Sequence, residues 1–169
     1  GVLVEHASVV NLVQYQASYF QVSEGESILQ FSNCAFDASV EQIFLALTTG
    51  NRLVLVDSDT LLDAKQMELF LVTEQISHLH ATPAYLQTLT PRVFTALKRV
   101  IAGGDACPES LAKAGSEHVT FYNEYGPTET TVTSIQKRFD AEDAGTTMTI
   151  GTPIGGTTVY VLDNENQLV

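Results

Sequence analysis

Between residues 28 and 122, short apolar runs alternate with stretches of helical periodicity, and this alternation limits the possible folds more than any other feature of the chain. The runs are 28–31, 53–56, 78–80, 99–102 and 119–122. They are too uniformly apolar for a sheet with one wet face, so they predict parallel strands covered by helices on both sides. Val9, Leu12, Val13 and Phe20 approximate helical spacing over 8–20. Val40, Ile43, Phe44 and Leu47 follow an i, i+3, i+4, i+7 pattern over 38–47 and predict a helix with that stripe as its apolar face. A third helix is expected over 64–75 with Asp63 as its N-cap, and Gly50 stands where the second helix would stop. After Tyr122 the chain turns rich in Thr and Gly, with period-2 stretches at 132–135 and 157–162 that predict the start of a smaller antiparallel or mixed β element. The expected class is α/β, a largely parallel sheet flanked by helices. In such folds ligands sit beyond the carboxyl ends of the strands, so chemistry is sought in the loops that follow them.

The chain's 169 residues, 44% hydrophobic and 17% charged, are enough to bury one core without a metal or disulfide staple. With 8 basic against 20 acidic residues the formal charge is −12, which argues against a nucleic-acid groove or an anionic membrane surface. No run approaches the roughly 18 apolar residues of a membrane span and no signal-peptide pattern opens the chain, so a cytoplasmic protein is expected. Cys34 and Cys107 lie far apart, outside any metal-ligand spacing, and read as reduced thiols. The sequence starts inside an apolar run and stops just after a turn-like DNEN between two strand-like segments, so it reads as part of something longer.

Three loops carry candidate chemistry. The densest is Asn123-Glu124-Tyr125-Gly126-Pro127-Thr128-Glu129-Thr130-Thr131, directly after the strand-like VTFY. Gly-Pro forces a turn, Thr hydroxyls and backbone N–H groups can surround a phosphate, Glu129 can hold magnesium through oxygen, and Tyr125 offers a flat face to a base. A plain polar turn explains the same residues. The second is Gly103-Gly104-Asp105, ahead of a helix that Pro108 can start as its first residue; paired glycines admit a flat ligand close to the backbone, and a simple strand-to-helix turn is the alternative. In the third, Asp37 either caps the helix that follows or meets a ligand's ammonium. Glu41, one turn on, adds a like charge that a cation would relieve. His78 and His80 alternate on a strand and face the same side, but no third metal ligand follows at a convincing spacing, so buried histidines are expected. All eight Lys and Arg residues fall outside the three loops, so phosphoryl chemistry there would need magnesium or a lysine from another segment.

FDASVEQIF, VIAGGDA and NEYGPTETT, in this order, closely resemble core motifs of the amino-acid-activating adenylation domains of nonribosomal peptide synthetases, within the adenylate-forming superfamily of acyl-CoA ligases and luciferase. GVLVEHASVVNL and IGTPI are family-like as well, so the resemblance covers the chain, as a partial N-terminal core subdomain over 1–169. It implies that Asn123 meets the adenine amino group, Tyr125 stacks on the ring, and Gly103, Gly104 and Asp105 help to form the nucleotide slot with Glu124 and Gly126. Thr128 would bind the α-phosphate of ATP, Glu129 the Mg2+, and Asp37 the substrate's α-ammonium. The implied reaction gives an aminoacyl-AMP and pyrophosphate, followed by transfer to the phosphopantetheine thiol of a peptidyl carrier protein domain beside neighbouring synthetase modules. The family's phosphate loop would lie before Gly1, and its hinge and lid lysine after Val169, so the isolated piece is expected not to turn over.

By the same resemblance the side-chain pocket is lined by Ala38, Glu41, His80, Ile101, Gly103, Glu124, Val132 and Thr133. Two carboxylates, in a pocket kept deep by Gly103, favour a basic substrate: arginine first, because its planar fork can engage both, then lysine or ornithine, with tyrosine possible. The rival readings are an acyl- or aryl-CoA ligase, against which Asp37 argues, and a non-catalytic nucleotide-binding domain.

Overall fold

The computed structural model describes residues 1–140 and 149–169. The chain runs α1 (His6–Tyr19), β1 (Ser27–Gln30), α2 (Ala38–Thr48), β2 (Arg52–Leu55), α3 (Ser58–Leu62), α4 (Ala64–Thr73), β3 (His78–Ala81), α5 (Pro83–Leu86), a 3-10 turn (Pro91–Ala96), β4 (Arg99–Ala102), α6 (Glu109–Ser116), β5 (Thr120–Tyr125), a second 3-10 turn (Thr128–Thr130), β6 (Ile135–Phe139) and β7 (Thr152–Pro153). The strands form one sheet in the order β2-β1-β3-β4-β5-β6-β7, parallel through β5 and antiparallel beyond it. Successive strand residues feed opposite cores, which is why the strands read as unbroken apolar runs. Ile28, Ile101 and Tyr122 pack with Val13, Leu45 and Ala46 of α1 and α2. Leu29, Val100 and Phe121 pack with Met67, Leu71, Leu86 and Leu111 on the other face.

Asp63 caps α4 as expected, accepting from the backbone N–H groups of Lys65 and Gln66. Pro108 sits one residue earlier than expected, at the cap of α6 and not as its first residue. Residues 157–162 form no strand, only an isolated bridge between Leu162 and Leu168 beyond the DNEN turn. They meet only the short 167–169 segment, where Val169 N donates to the Val161 carbonyl, so period-2 spacing alone did not make a ladder there.

The largest departure concerns α2. The helix forms where expected but buries Ser39, Glu41, Gln42, Leu45 and Ala46, leaving Phe44 and Leu47 exposed. Its polar side faces the sheet because β1 and β3 share only the Ile28–His78 register pair and then splay. Gln42 fills the gap: its Oε1 accepts from Ser32 N at 3.0 Å, and its Nε2 donates to the His80 carbonyl at 3.2 Å. Exchange of Gln42 for alanine is expected to cost about 2 kcal/mol, because one buried and one part-buried backbone group lose their partners. A shift of the urea midpoint with unchanged slope would report that cost.

Candidate functional site

The gap stitched by Gln42 is also where the sheet order reverses, since β1 leads to β2 on one side and the chain then crosses to β3 on the other. Beyond the carboxyl ends of β1, β3, β4 and β5 lies a cavity of about 370 Å3. Its walls come from residues far apart in sequence: Asp37 and Ala38, His80, Gly103 and Gly104, Glu124 to Gly126, and Val132 and Thr133. A larger groove of about 860 Å3 runs alongside between α1 and α2 and shares Asp37 and Val132, but its wall is mainly valine and phenylalanine. The polar and titratable groups converge in the smaller space.

Asp37 stands at the N-cap position of α2, yet its carboxylate makes no capping bond, so the cap reading is corrected: the helical backbone at this residue (φ −63°, ψ −30°) is not the extended geometry in which a cap side chain folds back. Tyr125 is 52% exposed at the cavity's edge. Gly104 has φ +84°, a backbone that side-chain-bearing residues rarely adopt, and this brings the chain past Thr82 without obstruction. Gly103 works differently from the expectation that it deepens the pocket. A Cβ there would lie 2.5 Å from His80 Nε2, so the room it leaves is filled by the His80 ring.

Several expected residues stand outside the cavity wall. Ile101 is wholly buried in the core under α1 and α2. Glu41 is fully buried behind the wall. Asn123 is buried and donates from Nδ2 to the Thr149 carbonyl at 3.2 Å, so part of its amide is engaged within the chain. Asp105 is exposed, and its Oδ1 accepts from Ala106 N at 2.7 Å. Thr128 faces the apolar groove, while exposed Glu129 borders a separate recess with Ser8 and Asn11 of α1.

At and behind this wall five side chains, Gln16, Glu41, His80, Glu124 and Thr133, make one network. His80 Nδ1 donates to Glu41 Oε1 at 2.9 Å, and His80 Nε2 lies 3.9 Å from Glu124 Oε2. Thr133 Oγ1 is 3.1 Å from both Glu41 Oε2 and Glu124 Oε2, and Gln16 Nε2 donates to Glu124 Oε1 at 3.3 Å. Burial works against a charge on His80, but the Glu41 carboxylate and its hydrogen bond outweigh that and raise the imidazole to about 9. Burial first, and the neighbouring Glu41 charge second, push Glu124 up to about 8. Burial also opposes the Glu41 charge, and the His80 cation with its hydrogen bond overcomes it, so Glu41 stays ionised. Among the described residues these three side chains are the one group with metal-ligand geometry, and it is closed by its own hydrogen bonds.

The model for a family described as AMP-binding enzyme matches residues 1–169. The chain belongs to the AMP-binding enzyme family. It is 34% identical over 168 residues to Gramicidin S synthase 1 of Brevibacillus brevis, covering 99% of this chain and 15% of that one. It is 37% identical over 169 residues to Bacitracin synthase 3 of Bacillus licheniformis, covering 100% of this chain and 3% of that one. Its fold is similar to the crystal structure of the nonribosomal peptide synthetase FmoA3, with a TM-score of 0.90 and 26% identity over 98% of this chain and 19% of that one. A similar match, with TM-score 0.89 and 30% identity over 100% of this chain and 13% of that one, is to AB3403, a four-domain nonribosomal peptide synthetase solved with AMP and glycine. The resemblance to nonribosomal peptide synthetase adenylation domains is met in both sequence and fold, and the chain spans a small part of each relative's length.

The cavity's volume lies in the range of small-molecule sites, and its wall includes the Tyr125 ring and the Gly103-Gly104 backbone. Sequence reasoning missed two features of the site. The signal for Gln16 was one polar residue on the inner face of the first helix. The charge on His80 has no signal in the sequence, because it depends on a carboxylate that arrives from 39 residues away.

Proposed function

We propose that this chain forms the nucleotide and amino-acid site of a ligase that activates an amino acid with ATP. The observation that carries the reading is that Asp37 and Tyr125, remote in sequence, border one cavity, with the Asp37 carboxylate free of any capping bond. The purine lies between Tyr125 and the Gly103-Gly104 backbone, and the substrate's α-ammonium meets Asp37. An acyl or aryl acid has no ammonium to answer that carboxylate. The substrate carboxylate, already ionised at neutral pH, attacks the α-phosphorus and pyrophosphate leaves, so the site needs no general base and acts by positioning and charge stabilisation. Thr128 lies on the short turn that follows Tyr125, on the side of the apolar groove, and its hydroxyl would meet phosphate from there.

Among the described residues Glu129, an exposed carboxylate on the recess beside α1, would hold Mg2+, in keeping with an ion that takes most of its ligands from phosphate and water. When bound it would offset charge on the phosphate oxygens. The buried Glu41–His80–Glu124 group is no match for it. The acyl group then passes to the phosphopantetheine thiol of a carrier protein, with neighbouring synthetase modules as further partners. The side chain accepted is basic, resting on Glu124, the carboxylate that reaches the cavity; the two-carboxylate grip that put arginine first is lost, because Glu41 is sealed behind the wall.

The test is amino-acid-dependent ATP–pyrophosphate exchange by the full-length protein. Activity is expected with a basic amino acid, and Asp37→Asn is expected to reduce it at least about 100-fold, the cost of leaving the substrate's charge without its partner. Exchange supported only by simple carboxylic acids, and unaffected by Asp37→Asn, would overturn the reading in favour of an acyl or aryl ligase.

A further inference from the structure

Thr133 has one hydroxyl hydrogen, and its oxygen stands 3.1 Å from a carboxylate oxygen of Glu41 and 3.1 Å from one of Glu124. Both contacts are hydrogen bonds only if one carboxyl carries a proton. Glu41 is ionised by its bond to His80, so the proton belongs to Glu124, which donates to Thr133, which donates to Glu41. Glu124 and Thr133 both face the cavity, whereas Glu41 does not. The chain of donors therefore opens to the ligand at a single O–H···O link.

We propose that this link is the recognition point for a primary ammonium on the substrate side chain, which takes the place of the Glu124 proton and donates to Glu124. This rests on the amino-acid activation reading and adds to it a substrate class, the diamino acids, and a proton exchange. The O–H bond of Glu124 breaks, its proton leaves to solvent, and the ammonium keeps all three of its own. The charge inside stays balanced: His80 answers Glu41, and the ammonium answers Glu124. Burial and the Glu41 charge are what hold the proton on Glu124 before the ligand arrives.

The groups that face Glu124 are few and come from each element packed on it. α1 presents Gln16, α2 presents Glu41, β3 presents His80, and the segment before β6 presents Thr133. Asp37 adds its charge to the His80 side, and β4 brings Gly103, with no titratable group, against His80. Among the described residues Gln16 Oε1 is buried without a partner, as are both amide atoms of Gln136, the residue paired with Glu124 across the β5–β6 ladder. A compact ammonium with three donors can engage Glu124 and Thr133, which face the cavity, whereas Gln16 and Gln136 lie outside its wall. A guanidinium gains less, because its planar fork seats best on both oxygens of one carboxylate, and those of Glu124 are already engaged, Oε1 by Gln16 and Oε2 by Thr133.

The experiment uses the full-length protein, with lysine, ornithine and 2,4-diaminobutyrate as probes and norleucine, arginine and citrulline as comparisons. Calorimetry at neutral pH in buffers of different ionisation enthalpy is expected to show close to one proton released per diamino acid bound, and close to none with norleucine. In exchange assays the KM for the preferred diamino acid is expected to fall about tenfold per pH unit on the acid side of pH 8, levelling off above it. Glu124→Gln is expected to remove both the pH dependence and the preference for a diamino acid over norleucine. Should that variant fail to fold, the proton count on the unaltered protein decides alone. Exchange with a diamino acid but without proton release overturns the inference, as does a preference for arginine or norleucine. Proton release on diamino-acid binding without any exchange supports the inference and overturns the activation reading instead.

Discussion

Replacing Glu41 with alanine is expected to lower folding stability by about 3–5 kcal/mol, a large share of what holds a domain together. The carboxylate is wholly buried, and both of its oxygens are engaged, one by His80 and one by Thr133. Its loss leaves an imidazole without the charge that raised it to about 9, in a place where burial alone drives it toward the neutral form. It also removes the acceptor of Thr133, and so loosens the contact between the loop before β6 and α2. The measurement is the urea midpoint of Glu41→Ala against the unaltered chain, paired with an NMR titration of His80, whose raised pKa should drop. The double exchange Glu41→Leu with His80→Leu is expected to regain much of the loss, because an apolar pair leaves no unpaired charge. A single-variant cost under about 1 kcal/mol would show that the network is ornamental to the fold.

The second large effect is on stability against pH, where a maximum is expected at mildly acid pH, about 5 to 6. On the alkaline side two groups act in the same direction. His80, raised to about 9, contributes stability that is full below the unfolded value near 6.5 and is lost as pH rises through about 9. Glu124, raised to about 8, keeps in the folded chain a proton that the unfolded chain releases above about 4.5, so stability falls as pH climbs from there to about 8. On the acid side, burial would raise Glu26, but hydrogen bonds from Arg99 and Ser23 and the Arg99 charge hold it well below the usual carboxylate range. Its contribution is present above about 4.5 and is lost as pH falls toward its folded value. His78, kept neutral by burial and by the Arg99 charge, adds to the acid-side loss because the unfolded chain takes a proton that the folded chain refuses. Urea midpoints measured from about pH 4 to about pH 9 should trace this curve, with a fall on the order of a few kcal/mol toward the alkaline end. A maximum at or above pH 8 would contradict the assignment of protons within the network.

Much of this architecture is legible in the order of residues. Uniform apolar runs identified the five parallel strands to within a few residues, because a strand buried on both faces has no polar alternation to hide it. The Asp63 cap was legible because it is a local hydrogen bond between a side chain and the next turn. α2 was legible as a helix but not by its face. Periodicity reports where the apolar stripe is, and in this chain that stripe borders a groove while Ser39, Glu41 and Gln42 turn to the sheet. The short elements α3 and α5 and the turn at Pro91–Ala96 are too brief to carry a period and were missed. Asp37, Gly103, Gly104 and Tyr125 border one cavity, because each lies at or beyond the carboxyl end of a strand and parallel strands bring those ends together.

The charge pattern shows where sequence stops. Counting Lys and Arg placed no cation near the candidate loops, and counting Glu41 and Glu124 made two free carboxylates. Folding changes both counts by moving protons. By itself the sequence determined the layered α/β class, the strand order's raw material and the loops that border the cavity, since these follow from local periodicity and turn residues. Only the tertiary structure decided which side of α2 faces inward, that Gly103 makes room for His80, and that one carboxylate of the pair is sealed while the other keeps a proton. Those outcomes depend on the desolvation and proximity of groups from separate segments, and no single stretch of chain encodes either.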